Sequence, residues 1–170
     1  MKPVLKYALL TSVAVILWSL VLYLTEMEKS DIGPYLNWVS YIIMLIFMYL
    51  AMNEEKQANE GFLSYGSAFK TGFFMILIVS AIVTVYTYMY FSFINPEIIQ
   101  FIHDKTIMDM EEKGMNQEQI DMAMGYTDKF LQPGIMTVFA FFANIIMGTI
   151  LALVVAAFVK KDTPVFDDKI

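Results

Sequence analysis

A chain of 170 residues that is 58% hydrophobic and only 16% charged is too poor in charge for an ordinary soluble domain, and its length suits one domain. Its net charge is −6 and its eleven basic residues are all lysine, so it lacks the basic surface and the guanidinium forks that phosphate recognition uses, which excludes nucleic acid as a partner. The absence of cysteine removes disulfides, thiolate metal sites and thiol catalysis together.

The apolar residues fall into four runs free of Asp, Glu, Lys, Arg and His, each long enough for a transmembrane helix. The first span is Tyr7 to Leu24, about 7–24. Lys2 and Lys6 precede it as they would a signal peptide, but Thr25-Glu26-Met27-Glu28 follows and offers no small-x-small cleavage site, so an uncleaved anchor is expected. After a short turn from Thr25 to Pro34 comes the second span, 35–52. The next polar segment carries Phe62, Tyr65, Phe69 and Phe73 at three- and four-residue steps, with Lys70 among them. That pattern predicts an interfacial anchor, Phe62, Tyr65, Phe69 and Lys70, whose lysine snorkels to headgroups. The third span is 71–94.

Residues 95–134 form the longest polar segment. Asn95-Pro96-Glu97 reads as the N-cap, first position and acidic first turn of a helix running to about Lys113 and ending at Gly114. Asn116 and Gln119 read as a capping box for a second helix, with Met115 and Ile120 at the staple positions. Its contact face holds Ile120, Ala123, Met124, Phe130 and Leu131, and it must stop before Pro133-Gly134. The segment is therefore expected to be an amphipathic helical hairpin that caps the bundle, docks a protein or lies on lipid. The fourth span is 135–159, followed by a cytoplasmic tail, 160–170. The whole is a single integral membrane domain, all-α, a four-span transmembrane helical bundle with an extracytoplasmic hairpin between spans three and four.

Lysine placement orients it. With the N-terminus inside, Lys2, Lys6, Lys56, Lys70, Lys160, Lys161 and Lys169 are cytoplasmic, against Lys29, Lys105, Lys113 and Lys129 outside. Both termini are then expected in the cytoplasm.

The stretch Tyr65-Gly66-Ser67-Ala68-Phe69-Lys70-Thr71-Gly72, then Ile94-Asn95-Pro96, then Lys113-Gly114-Met115-Asn116-Gln117-Glu118-Gln119-Ile120 and Pro133-Gly134-Ile135-Met136, resembles a family of bacterial membrane proteins catalogued as domain of unknown function 4199. The likeness runs from the first span to Lys161. It implies a small four-span protein of the bacterial inner membrane and brings no established activity, hence no functional residue.

The spans hold no ionisable residue of the kind that marks proton relays and ion pathways, which argues against a proton-coupled pump. Asn144 stands out, on a stripe of Ala140, Asn144, Gly148, Ala152 and Ala156 at four-residue steps. Small residues at that spacing admit a second helix closely, and an amide can hydrogen-bond across the contact. The stripe fits packing inside the bundle, homodimerisation, or a polar site shared with Ser80 and Thr84, with Thr87, Ser12 and Ser19 as further hydrogen-bond partners.

His103 lies near Asp104, Asp109, Glu111 and Glu112, yet one histidine without cysteine does not make the usual zinc sets, and acidic helix faces are ordinarily solvated. No metal and no cofactor is expected. There is no Gly-x-Ser-x-Gly, the tail carboxylates Asp162, Asp167 and Asp168 read as solubilising, and the fourteen methionines read as core filler. The expectation is a non-enzymatic accessory or scaffold protein acting on a membrane protein partner, a second copy or the lipid bilayer. The alternative is a small dimeric transporter or lipid-handling protein.

Overall fold

The computed structural model describes residues 2–162; Asp167 and Asp168 lie outside the described residues. The helices are α1 (Lys2–Leu24), α2 (Gly33–Leu36), α3 (Trp38–Ala58), α4 (Tyr65–Met89), α5 (Glu97–Glu112), α6 (Gln117–Phe130) and α7 (Pro133–Val159). A 3₁₀ turn, Met27–Lys29, follows α1, and a π turn, Tyr90–Ile94, extends α4. Among the described residues the only extended pairing is an isolated bridge between Leu63 and Lys161. Four helical segments are long and apolar enough to cross a membrane: Lys2–Leu24, Gly33–Ala58, Tyr65–Ile94 and Pro133–Val159.

These segments overrun the apolar runs because caps and polar contacts, not hydropathy, end a helix. α4 starts at Tyr65, six residues before its apolar run, because Ser64 accepts the Ser67 N–H at 3.3 Å. α3 continues past Met52 into Asn53-Glu54-Glu55-Lys56, and each of those three charges is used. Glu54 accepts from Lys6 at 2.6 Å and Tyr7 at 2.9 Å, Glu55 accepts from Thr71 at 2.7 Å, and Lys56 donates to the Val159 carbonyl at 2.8 Å. The start of α1, the ends of α3 and α7 and the start of α4 thus meet at one end of the molecule, the terminal end.

α4 packs on α7, α1 and α3. Its closest approach is to α7: a Cβ at Gly148 would lie 2.5 Å from Ile76 Cδ1, and one at Gly72 would lie 2.9 Å from Ala152 Cβ. Met44, Met48, Met52 and Met75 fill the space around that contact. Outward faces stay apolar, with Leu17, Ile46, Phe74, Val85, Phe142, Ile146 and Phe158 all exposed. That is the surface of a membrane protein, since lipid is as apolar as these side chains.

α5 and α6 lie against each other, α6 touching α7 and α5 touching the π turn. Gly114 takes the left-handed conformation (φ +77) that the turn between them needs. The Asn116–Gln119 capping box is present, with both reciprocal bonds at 3.0 Å. Asn116→Ala should cost α6 about 1 kcal/mol. Amide exchange in the first turn of α6 should rise correspondingly, and unchanged exchange would show that tertiary contacts alone hold it.

Asn95 departs from expectation. It does not cap α5, which has no side-chain cap; Pro96 occupies the cap position. The Asn95 side chain instead donates from Nδ2 to Glu28, 67 positions away, and its oxygen takes no N–H of the first turn of α5.

Candidate functional site

Hydroxyls inside apolar helices normally return their proton to the carbonyl four residues back. Here Thr11, Ser12, Thr71, Thr137 and Thr149 all do so, at 2.7–3.0 Å. Ser80 and Thr84 do not. Their hydroxyls find no hydrogen-bond partner among the described residues, although Ser80 is 1% exposed. A buried polar group without a partner carries a desolvation cost of about 1–3 kcal/mol, so the exception calls for a reason.

Ser80 lines a cavity of about 210 Å³ between α1, α3, α4 and α7. α1 contributes Val15 and Ser19, and α3 with its cap contributes Asn37, Ser40, Tyr41 and Met44. α4 contributes Val79, Ser80, Val83, Tyr86 and Thr87, and α7 contributes Asn144. No Asp, Glu, Lys or His is among them. Tyr86 donates to Ser19 at 3.1 Å, joining α4 to α1 at the wall.

Of the residues singled out from sequence, Ser80, Asn144, Thr87 and Ser19 therefore line one cavity, while Thr84 and Ser12 are not part of its lining. Asn144 is not bonded to Ser80 or Thr84, Ser12 donates to Ala8, and Ser19 is taken by Tyr86. Further along the stripe Gly148, Ala152 and Ala156 are buried, and Gly148 and Ala152 face α4; Ala140 is half-buried. Sequence reasoning missed Asn37, Ser40, Tyr41 and Tyr86. The signal was there for α3, where Asn37, Ser40, Tyr41 and Met44 fall at three- and four-residue steps and share one helix face.

The anchor residues sit at the terminal end. Phe62 lies under the Lys161 ammonium at 5.2 Å, and Tyr65 is exposed with its hydroxyl 3.5 Å from the Leu153 carbonyl. Phe69 packs on the core and stacks on Phe73, and Lys70 is exposed. On α6, Ile120 and Met124 are buried, Ala123 and Leu131 half-buried, and Phe130 is exposed with its ring 5.7 Å from Phe139 of α7.

A second cluster joins the two chain segments at the hairpin end. The Tyr90 hydroxyl and the Asn95 amide both donate to the Glu28 carboxylate, and Tyr90 and Asn95 are buried. The π turn makes this possible: the Asn95 N–H reaches the Tyr90 carbonyl at 2.8 Å, bringing residues five apart onto one side. Gly33 closes the cluster from behind, against the Glu28 backbone.

His103 spans the hairpin, Nδ1 at 3.1 Å from Asp104 and Nε2 at 3.4 Å from Asp128. No group of three or more His, Asp or Glu among the described residues is placed to hold a metal ion. His103, then Gln100, hold the Asp104 carboxyl below its ordinary 3.8. A lowered value in the folded chain stabilises at neutral pH, and that contribution is lost as pH falls through it. Protection of the α5 amides, taken relative to the free-chain exchange rate at each pH, should therefore fall in acid below about pH 4, and Asp104→Asn should flatten the profile. An α5 profile that is already flat in the wild type would refute the coupling.

No curated protein and no solved structure matches the chain. One family model does, that of the protein of unknown function (DUF4199), over residues 6–161. With that match covering all four apolar helices and the hairpin between them, the chain belongs to the DUF4199 family.

Proposed function

We propose that the protein is a non-enzymatic, multi-pass component of the bacterial inner membrane that holds a small polar ligand between its four spans. Both termini are cytoplasmic in this reading and the α5–α6 hairpin stands on the opposite side, as the lysine distribution favours. The observation that carries it is Ser80, whose buried hydroxyl has no hydrogen-bond partner among the described residues and which lies in the wall of a mainly apolar mid-span cavity with a few polar groups. Sites of this kind, between helices and with a few convergent polar groups, are where small ligands bind.

The accessory or scaffold role is the second reading. One observation favours it: the hairpin leaves Met108, Met122, Tyr126 and Phe130 exposed. Two surfaces that would serve it are already used within the chain. Gly148 and Ala152 face α4, which leaves little of the stripe for a homodimer, and Ile120 and Met124 are buried.

Purification from native membranes in mild detergent, with protein and small-molecule mass spectrometry, separates the two. Ligand handling expects a lipid or metabolite enriched with the wild type and lost from a folded Ser80→Leu variant. A stoichiometric protein partner, lost when residues 95–134 are replaced by a linker and indifferent to Ser80→Leu, would overturn it in favour of the accessory role.

A further inference from the structure

The cavity is asymmetric along the membrane normal. Ser80 lies halfway along Tyr65–Ile94 and Asn144 near the middle of α7. The remaining polar lining lies toward the hairpin end: Asn37 and Ser40 at the start of α3, Tyr86 and Thr87 at the end of α4. Toward the terminal end α3, α4 and α7 pack tightly through Met48, Met52, Met75, Ile76, Ala152 and Ala156, all of them fully buried, while a separate cavity of about 560 Å³ opens there between α1 and α4, reaching Phe74 and Ile78.

The lining is also uncharged. Its polar groups are hydroxyls and carboxamides, which donate and accept hydrogen bonds but do not neutralise an ion. A charged occupant would give up its hydration without gaining a counter-charge, and such burial is avoided at mid-membrane. At about 210 Å³ the space is of the order of the ~150 Å³ cavity that takes up one benzene, so the group that fits is small.

Resting on the ligand-holding reading above, we infer that this cavity is a binding site for a small, uncharged, hydroxyl- or carboxamide-bearing group that reaches Ser80 from the hairpin end. Ser80 supplies the hydrogen bond at the blind end, Asn144 offers both a donor and an acceptor beside it, and the methionine-rich floor stops passage to the terminal end. The same chemistry is presented by a free polyol and by the glycerol of a lipid headgroup.

The chain has no cysteine, which makes the test clean. Ser80→Cys is nearly isosteric and introduces one thiol. Ser12→Cys, buried but bonded to the Ala8 carbonyl and outside the cavity lining, is the control, and Asn144→Cys is the second reporter should Ser80→Cys fail to fold. Each full-length variant is treated with neutral methyl, cationic trimethylammonium-ethyl and anionic sulfonatoethyl methanethiosulfonates, added to membranes from either side. The expected result is labelling at residue 80 by the neutral reagent at least about tenfold faster than by either charged one, with the slower labelling by the impermeant charged reagents arriving from the hairpin side and residue 12 slow throughout.

Charged reagents that label residue 80 as fast as the neutral one would overturn the uncharged class while leaving a ligand cavity in place. Labelling no faster at residues 80 and 144 than at residue 12 would overturn both the inference and the function it rests on. Faster labelling by the charged reagents from the terminal side would overturn the direction of access. Glycerol that slows labelling in detergent micelles assigns the group to a free solute. Slowing seen only in phosphatidylglycerol vesicles assigns it to a lipid headgroup, and slowing in neither sinks the proposal.

Discussion

Glu28→Ala is expected to destabilise the folded protein by about 2–4 kcal/mol and to free the base of the hairpin. The carboxylate accepts from two donors at once, the Tyr90 hydroxyl and the Asn95 amide, which are only 5% and 4% exposed. Alanine leaves both without that acceptor, and the Asn95 amide keeps only its 3.1 Å contact to the Tyr90 oxygen. Glu28→Gln should lose roughly half as much, because one oxygen remains and the Tyr90 hydroxyl can turn round to accept from the new amide. Gly33→Ala attacks the same cluster from behind. Its Cβ would sit 2.5 Å from the Glu28 carbonyl oxygen and 2.9 Å from that of Met27, both backbone atoms that no rotamer change can move. Unfolding midpoints in mild detergent measure all three, and amide exchange across 90–112 locates the damage. A Glu28→Ala midpoint equal to the wild type would mean that the cluster does not hold in the membrane-borne protein.

That cluster also shows where the sequence stops being readable. The four long apolar helices and the Asn116–Gln119 box were legible because both depend on residues close together in the chain: an unbroken apolar run, or a cap three residues from its partner. Asn95 was misread for the complementary reason. Asn-Pro-Glu is locally a good helix start, and only a carboxylate 67 positions away takes the amide elsewhere. The early start of α4 was hidden because an apolar run beginning at Thr71 conceals a cap at Ser64. The cavity was half legible. Asn144 and Ser80 stood out, Asn144 because a carboxamide in a span demands a partner. Ser40 did not, since a serine in a helix ordinarily bonds its own backbone, and whether it does so is a rotamer choice that sequence does not record.

The α4–α7 contact should be the least forgiving in the bundle, and Gly148→Leu is expected to cost about 3 kcal/mol, with Gly148→Ala nearer ~1 kcal/mol. A Cβ there meets three atoms of Ile76: Cδ1 at 2.5 Å, Cγ2 at 2.8 Å and Cγ1 at 2.9 Å. Because Cγ1 and Cγ2 branch from the same carbon, rotating one away brings the other toward the intruder, and Ile76 is fully buried with no open side to turn into. Relief requires the helices to separate. In lipid that separation is not offset by a hydrophobic gain, since tight packing itself supplies the association. Ile76→Ala should therefore rescue Gly148→Leu in part, with a coupling of about 1–2 kcal/mol between two positions that would otherwise each destabilise. Denaturant titration of the purified protein gives the four midpoints of the cycle. Ser80 lies one turn beyond Ile76 on α4, so the same separation should also open the blind end of the cavity and speed labelling of a Ser80→Cys thiol from the terminal side. If Gly148→Leu instead leaves the midpoint unchanged but alters the oligomeric state, the stripe faces a second copy, and the close α4–α7 approach is not the arrangement the membrane holds.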